Sequence, residues 1–145
     1  MKNPTPLINA DERRFTHTEI TEKLIGVFYD VYNELGHGFL ESVYEQAMFL
    51  ALKASGMRVG RQISVPVWFR GEQIGDFKAD LLVDDCVLIE LKASRAIEPS
   101  HAAQLLNYLR ATPIEIGLLL NFGPRPGIRR LAFSNDRKKI SVHQR

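Results

Sequence analysis

The segment CVLIELKAS, residues 86 to 94, runs through apolar positions and then carries Glu90 and Lys92. Strand side chains alternate faces, so Glu90 and Lys92 point one way while Ile89 and Leu91 point into the opposite layer. Just upstream, QIGDFKADLLV supplies Asp80, and a turn at Asp84 and Asp85 would fold the two segments into a hairpin. Pairing about that turn sets Asp80 near Ile89 and Glu90, with one residue of register deciding between them. Two carboxylates and an ammonium gathered on a sheet face are costly unless something compensates them. A hard divalent cation does so: carboxylate oxygens suit Mg²⁺ or Mn²⁺, which use one or two protein carboxylates with waters and substrate phosphate oxygens. A lysine beside such a cation can orient or help deprotonate a water, and can stabilise charge developing on a phosphate.

An acid two residues before a lysine is a weak signal alone, since about one such pair arises by chance in a chain of this composition. Three occur here: Asp76 with Lys78, Glu90 with Lys92, and Asp136 with Lys138. Asp136 lies in a polar turn with no carboxylate shortly upstream on a paired strand, and reads as surface. Asp76 and Lys78 compete more seriously, because strict alternation puts them on Asp80's face. Only Glu90 with Lys92 combines an apolar strand, an aspartate on the hairpin partner and a helix immediately after.

Further elements must position these groups. Thr16 and Glu19 fit a capping box, and Ile20, Leu24, Phe28, Val31 and Leu35 follow at helical spacing up to Gly36. After the GHG turn, which contains His37, a second helix runs from about Leu40 to Ala54. QISVPVWFR reads as a strand in which Pro66 indicates an edge, followed by the two strands of the hairpin. Glu98 to about Arg110 is helical, with Pro99 tolerated in the first turn. IEIGLLLNF and RRLAFS read as two more strands. The order α-α-β-β-β-α-β-β predicts an α/β, mixed α+β domain, with a central mixed sheet flanked by helices.

At 145 residues, 45% hydrophobic and 25% charged, the chain has the size of one domain over residues 16–145, preceded by a polar tail over residues 1–15. The single cysteine, Cys86, excludes an internal disulfide framework and a cysteine-based zinc cluster, and reads as a small core residue in a reducing compartment. No apolar run reaches the roughly 18 residues of a membrane helix, so a cytoplasmic protein with no membrane partner is expected. Within an overall net charge of +2, residues 121–145 carry seven Lys/Arg against the single acid Asp136. That basic end suits a polyanion, although a solvated edge strand and tail would look the same. Trp68 and Phe69 could stack bases but read first as packing residues.

The ordered set resembles the PD-(D/E)XK nuclease superfamily. Asp80, nine intervening residues and Glu90-Leu91-Lys92 match its central motif, and HAAQLLNYL is similar to the Q-x-x-x-Y helix of its RecB-like branch, giving Gln104 and Tyr108. GFLESVY is similar to G-x-x-E-x-x-Y, as Gly38, Glu41 and Tyr44, the signature of the small bacterial GxxExxY proteins. The resemblance spans roughly residues 16 to 135. The proline that names the superfamily motif is absent before Asp80, where the chain reads FKAD.

The resemblance implies a restriction-endonuclease-like core and a Mg²⁺- or Mn²⁺-dependent nuclease. Glu41, Asp80 and Glu90 would be metal ligands, with the Leu91 carbonyl a further one, and Lys92 would position the attacking water. Tyr44, His101, Gln104 and Tyr108 would support the lysine or contact phosphate; the last three share a helix face. Plainer roles compete: Glu41 as a solvated acid favourable to the helix dipole, the tyrosines as packing residues with bonded hydroxyls, His101 as a surface histidine. Nucleic acid is the expected partner, DNA ahead of RNA. A homodimer would permit a double-strand cut, but nothing in the sequence demands one. Two other functions fit such a fold: a binding or partner-recruiting module with little cleavage, and hydrolysis of another phosphate-containing substrate.

Overall fold

The computed structural model describes residues 17–139; the expected N-terminal tail and the Thr16 cap lie outside the described residues. Two helices come first, α1 (His17–Leu35) and α2 (Glu41–Ala54), then strands β1 (Val59–Phe69), β2 (Glu72–Val83) and β3 (Val87–Lys92). Helix α3 (Pro99–Arg110) leads to β4 (Ile116–Phe122) and β5 (Pro126–Ala132). The five strands form one sheet in the order β1-β2-β3-β4-β5. Neighbours are antiparallel except β3 and β4, which α3 connects as a parallel pair. The mixed sheet flanked by helices is the expected architecture. Strand limits differ from the apolar runs because partners set them: β1 starts at Val59, paired with Val83, and β5 starts at Pro126, paired with Phe122.

The apolar stripe of α1 (Ile20, Leu24, Val27, Phe28, Val31) and that of α2 (Tyr44, Met48, Leu52) cover one sheet face. Leu105, Tyr108 and Leu109 of α3 cover the other, against Val65, Ala79, Leu88 and Leu119. β3 and β4 are thus roofed on both sides, which is why their sequences run apolar without alternation. Between α1 and α2, Gly36 (φ 69°) and Gly38 (φ 114°) adopt left-handed backbone that a side chain would strain. Cys86 is half-buried against the α1/α2 core, in line with a small packing role.

β1 and β2 change faces together at Gln62 and Asp80. On β1, Val59 packs on the α1/α2 side and Arg61 reaches Glu45 of α2, whereas Ile63, Val65 and Val67 pack on the α3 side. On β2, Leu81 and Val83 face α1 and α2, whereas Ala79 faces α3 and the Phe77 ring lies 6.2 Å from that of Tyr108. Gln62 sits at φ 51°, and the β1–β2 pairing skips Gln62 and Asp80. The hairpin therefore rolls over at Asp80, and its distal half wraps onto α3. This breaks the alternation that would set Asp76 and Lys78 on Asp80's face. Both are exposed, with Asp76 Oδ1 accepting from Ser64 Oγ at 2.7 Å and Lys78 Nζ 4.0 Å from Asp76.

Candidate active site

The β2–β3 ladder is short: Leu81, Leu82 and Val83 pair with Ile89, Leu88 and Val87, and the pairing stops there. Asp84 and Asp85 are both left-handed (φ 51° and 56°), and the Cys86 N–H donates to the Val83 carbonyl at 3.0 Å. Cys86 thereby joins the loop, and the register sets Asp80 opposite Glu90. Beyond Leu81, side chains replace the ladder. The Asp80 N–H donates to Glu90 Oε1 at 3.0 Å, and the Leu91 N–H donates to Asp80 Oδ2 at 2.8 Å. The N–H and C=O of one strand residue face the same neighbour, so the Leu91 carbonyl faces the same gap as its N–H. Each carboxylate thus spends one oxygen on backbone; Oδ1 of Asp80 and Oε2 of Glu90 take no hydrogen bond from the described residues.

Glu90 is only 4% exposed. Burial, and after it the Asp80 charge, pushes its carboxyl up to about 8. Burial also raises the Asp80 carboxyl; the charges of Glu45 and Glu41 add to this, while the Leu91 N–H and Lys92 act against it. Two acids that resist joint ionisation, each offering a second oxygen, form a donor set that fits a hard dication. Among the described residues, no three His, Cys, Asp or Glu side chains are gathered closely enough to hold a metal by themselves. Two carboxylates and a backbone carbonyl, completed by water or phosphate oxygens, remain an ordinary Mg²⁺ or Mn²⁺ environment.

Lys92 leaves the same sheet face, half-buried, with Nζ 3.4 Å from Gln104 Oε1. The Gln104 amide in turn donates to the Tyr108 hydroxyl at 3.1 Å. Burial, then the charges of Glu90 and Asp80, pushes that hydroxyl up, so it stays protonated. Asp80, Glu90, Lys92, Gln104 and Tyr108 therefore form one connected group across β2, β3 and α3.

Three expected members stand apart from that group. Glu41, the exposed first residue of α2, reaches the pair through its charge and does not close a three-carboxylate set as expected. Tyr44 is fully buried, the packing role the sequence also offered, and its hydroxyl donates to the Gly36 carbonyl at 2.7 Å and accepts the Phe39 N–H at 3.2 Å. Its ring stacks on Phe122, with centroids 4.0 Å apart, so it clamps the glycine turn that starts α2. His101 spends Nδ1 on the Glu98 N–H at 3.1 Å, which caps α3 and turns the ring from the Gln104–Tyr108 chain to the helix end.

Two residues of the site escaped the sequence reading. Glu45, one turn after Glu41, is felt by Asp80 ahead of Glu41 and is held by Arg61 at 3.1 Å and Gln62 at 2.8 Å. The spacing of four to Glu41 was its available signal. Asn121, buried opposite Lys92, accepts the Ser94 N–H at 2.9 Å and donates to the Ser94 carbonyl at 3.0 Å, fixing the loop that follows the lysine. A Cβ on the neighbouring Gly123 would collide with that same carbonyl. A lone amide in LLLNF was the signal. Lys138, grouped with the basic end by sequence, is partly buried and donates to the Thr112 and Ile114 carbonyls at 2.6 and 2.7 Å. Arg125, Arg129, Arg130, Arg137 and Lys139 remain exposed.

A family model described as the PD-(D/E)XK nuclease superfamily matches residues 18–131. No curated protein matches the sequence. Among solved structures, the crystal structure of SSO0001 superposes with a TM-score of 0.53 at 20% identity, over 64% of this chain and 50% of that one. The chain thus aligns with half the length of that protein, and the likeness speaks for the fold. No helix among the described residues is long and apolar enough to cross a membrane.

Proposed function

The chain belongs to the PD-(D/E)XK nuclease superfamily, and from that premise we propose that it is a metal-dependent nuclease hydrolysing phosphodiester bonds, with DNA ahead of RNA as substrate. The observation that carries this reading is the crossed pair at the end of the β2–β3 ladder, where Asp80 and Glu90 each bind the other strand's backbone and keep one oxygen for a ligand. A binding module would gain nothing from two acids that burial makes costly to ionise together. Gly38, Glu41 and Tyr44, followed by Gln104 and Tyr108, support the finer grouping with the GxxExxY proteins and the RecB-like branch.

Asp80, Glu90 and the Leu91 carbonyl would hold Mg²⁺ or Mn²⁺, with the charge of Glu41 nearby. The cation would supply positive charge against the negative charge growing on the phosphate. Lys92 does the rest from this chain's side. Held towards Gln104, its ammonium orients a water for in-line attack and stabilises phosphate oxygens. Gln104, itself held by the Tyr108 hydroxyl, fixes the lysine's position.

The test incubates purified protein with end-labelled single- and double-stranded DNA and RNA in Mg²⁺, Mn²⁺ or EDTA. Cleavage that requires metal and is lost in Asp80→Ala and Glu90→Ala is expected. Binding without cleavage under every metal would overturn the nuclease and favour a recruiting module.

A further inference from the structure

The rolled-over hairpin and α3 enclose an open groove of about 340 Å³ that shares Gln104 and Tyr108 with the candidate active site and extends beyond it to Phe77 and Val67. Val67 and Phe77 form its hairpin wall, and Ala103, Gln104, Asn107 and Tyr108 its helix wall. We propose that this groove receives one nucleobase of an unpaired nucleic-acid strand, the base adjoining the phosphate handled by Asp80, Glu90 and Lys92. The proposal rests on the nuclease reading and adds what that reading lacks, a contact that distinguishes an unpaired strand from a duplex.

Its chemistry is that of a base pocket. Phe77 is 51% exposed although it stands beside the α3 core, and its ring tilts 34° from that of the nearly buried Tyr108. One aromatic wall is therefore open to a π face, and every base has one. Beside it stands the Asn107 amide, whose Oδ1 accepts from Arg110 at 3.3 Å while its Nδ2 can donate to a base edge; Gln104, engaged with Lys92 and Tyr108, forms the polar end of the groove. None of the lining residues is charged. An uncharged groove beside a charged site matches a polynucleotide, in which neutral bases alternate with anionic phosphates. Continuity is physical: the Gln104 side chain that meets Lys92 also lines the groove, as does Tyr108, to which it donates. A base still stacked in a duplex cannot enter, and extruding one costs unpairing and unstacking energy that an unpaired strand avoids.

The groove is tested by walking a single abasic position along a fluorescent single-stranded oligonucleotide. Binding is read by anisotropy in EDTA and cleavage by kcat/KM in Mn²⁺, for wild type, Phe77→Ala and Phe77→Tyr. Stacking on one aromatic side chain corresponds to about a five- to hundredfold change in affinity. Wild type should lose that factor at one abasic position next to the scissile bond. Phe77→Ala should lose it on the intact strand and then ignore the abasic position, while Phe77→Tyr keeps wild-type behaviour. Phe77 is half-exposed, so a melting curve suffices to show that the variants fold. A flat abasic series in a protein that binds and cleaves would overturn the groove alone, as would Phe77→Ala remaining as sensitive as wild type. A protein that neither binds nor cleaves any oligonucleotide would overturn both the groove and the nuclease. Concentration-dependent dimerisation abolished by Phe77→Ala, with no abasic effect, would reassign the groove to a second copy.

Discussion

Replacing Glu90 by glutamine should make the metal-free protein more stable at neutral pH, although it removes an acid from the site. The structure supplies the sign. Glu90 is raised from 4.5 to about 8 by burial and then by Asp80, so between those values the folded state holds a proton that the unfolded chain releases. Stability therefore falls as pH rises through that window. At about 1.36 kcal/mol per pH unit, the loss between pH 4.5 and pH 7 is on the order of 3 kcal/mol. For a domain of this size that is roughly 10 °C in Tm. The glutamine amide keeps an oxygen to accept the Asp80 N–H and has no proton to lose. In EDTA, thermal melts from pH 5 to 8 should show wild type falling while Glu90→Gln stays nearly level, apart from the smaller contribution of Asp80. Saturating Mn²⁺ should largely close the gap at pH 7, adding about 2.7 kcal/mol to wild type at a hundred times its Kd and little to the variant. Parallel curves for the two proteins in EDTA would refute the claim that burial and mutual repulsion strain this pair.

Lys92→Ala should retain metal and nucleic-acid binding yet lose about 10²- to 10⁴-fold in cleavage rate, whereas Lys78→Ala, exposed on the outer side of the hairpin, should lose little; single-turnover kinetics separate them. Asn121→Ala leaves the Ser94 N–H and carbonyl without their partner and should cost about 1–3 kcal/mol in urea unfolding, with a fall in cleavage as the loop after Lys92 loosens. Tyr44→Phe keeps the stacking on Phe122 but loses the bonds to Gly36 and Phe39; about 1 kcal/mol of stability should go, with faster hydrogen exchange in the turn before α2. At Gln62, a β-branched valine would meet the left-handed backbone and forfeit the bond to Glu45, so Gln62→Val should be about 1–2 kcal/mol less stable than Gln62→Gly, a difference read directly from paired denaturation curves.

What could be read from the sequence was what depends on local arithmetic. Alternation along β3 is enough to set Glu90 and Lys92 together, and a short turn at Asp84 and Asp85 is enough to bring Asp80 within a residue of them. The remaining residue of register depended on Cys86 joining the loop, which apolar patterning does not signal. Alternation failed where it was used to keep Asp76 and Lys78 in contention, because the face change at Asp80 depends on Gln62 of another strand. Hydroxyl and amide roles were likewise non-local. Tyr44 carries the signature spacing, yet its hydroxyl is consumed by a turn five to eight residues upstream. Lys138 counted as surface charge until two carbonyls across the fold claimed it.

The face change and the broken ladder are one device. Had β2 and β3 continued to pair, the Leu91 N–H would have met a backbone carbonyl and Asp80 would have had no donor to fix it. Ending the ladder at Leu81 exposes backbone donors that must be satisfied, and the two carboxylates satisfy them, which locks both side chains without filling their second oxygens. The strand that parts from β3 needs somewhere to bury its apolar side, and by rolling at Asp80 it carries Ala79 and Phe77 onto α3. α3 is also the helix that holds Lys92 through Gln104. Moving the kink by one residue would therefore turn the acids away from each other and detach the hairpin from the helix that steadies the lysine. The geometry of the acid–lysine group and packing of the distal hairpin are consequently coupled, and, under the proposed function, substitutions in the Ala79–Leu109 core should disturb cleavage more than their cost in stability alone would suggest.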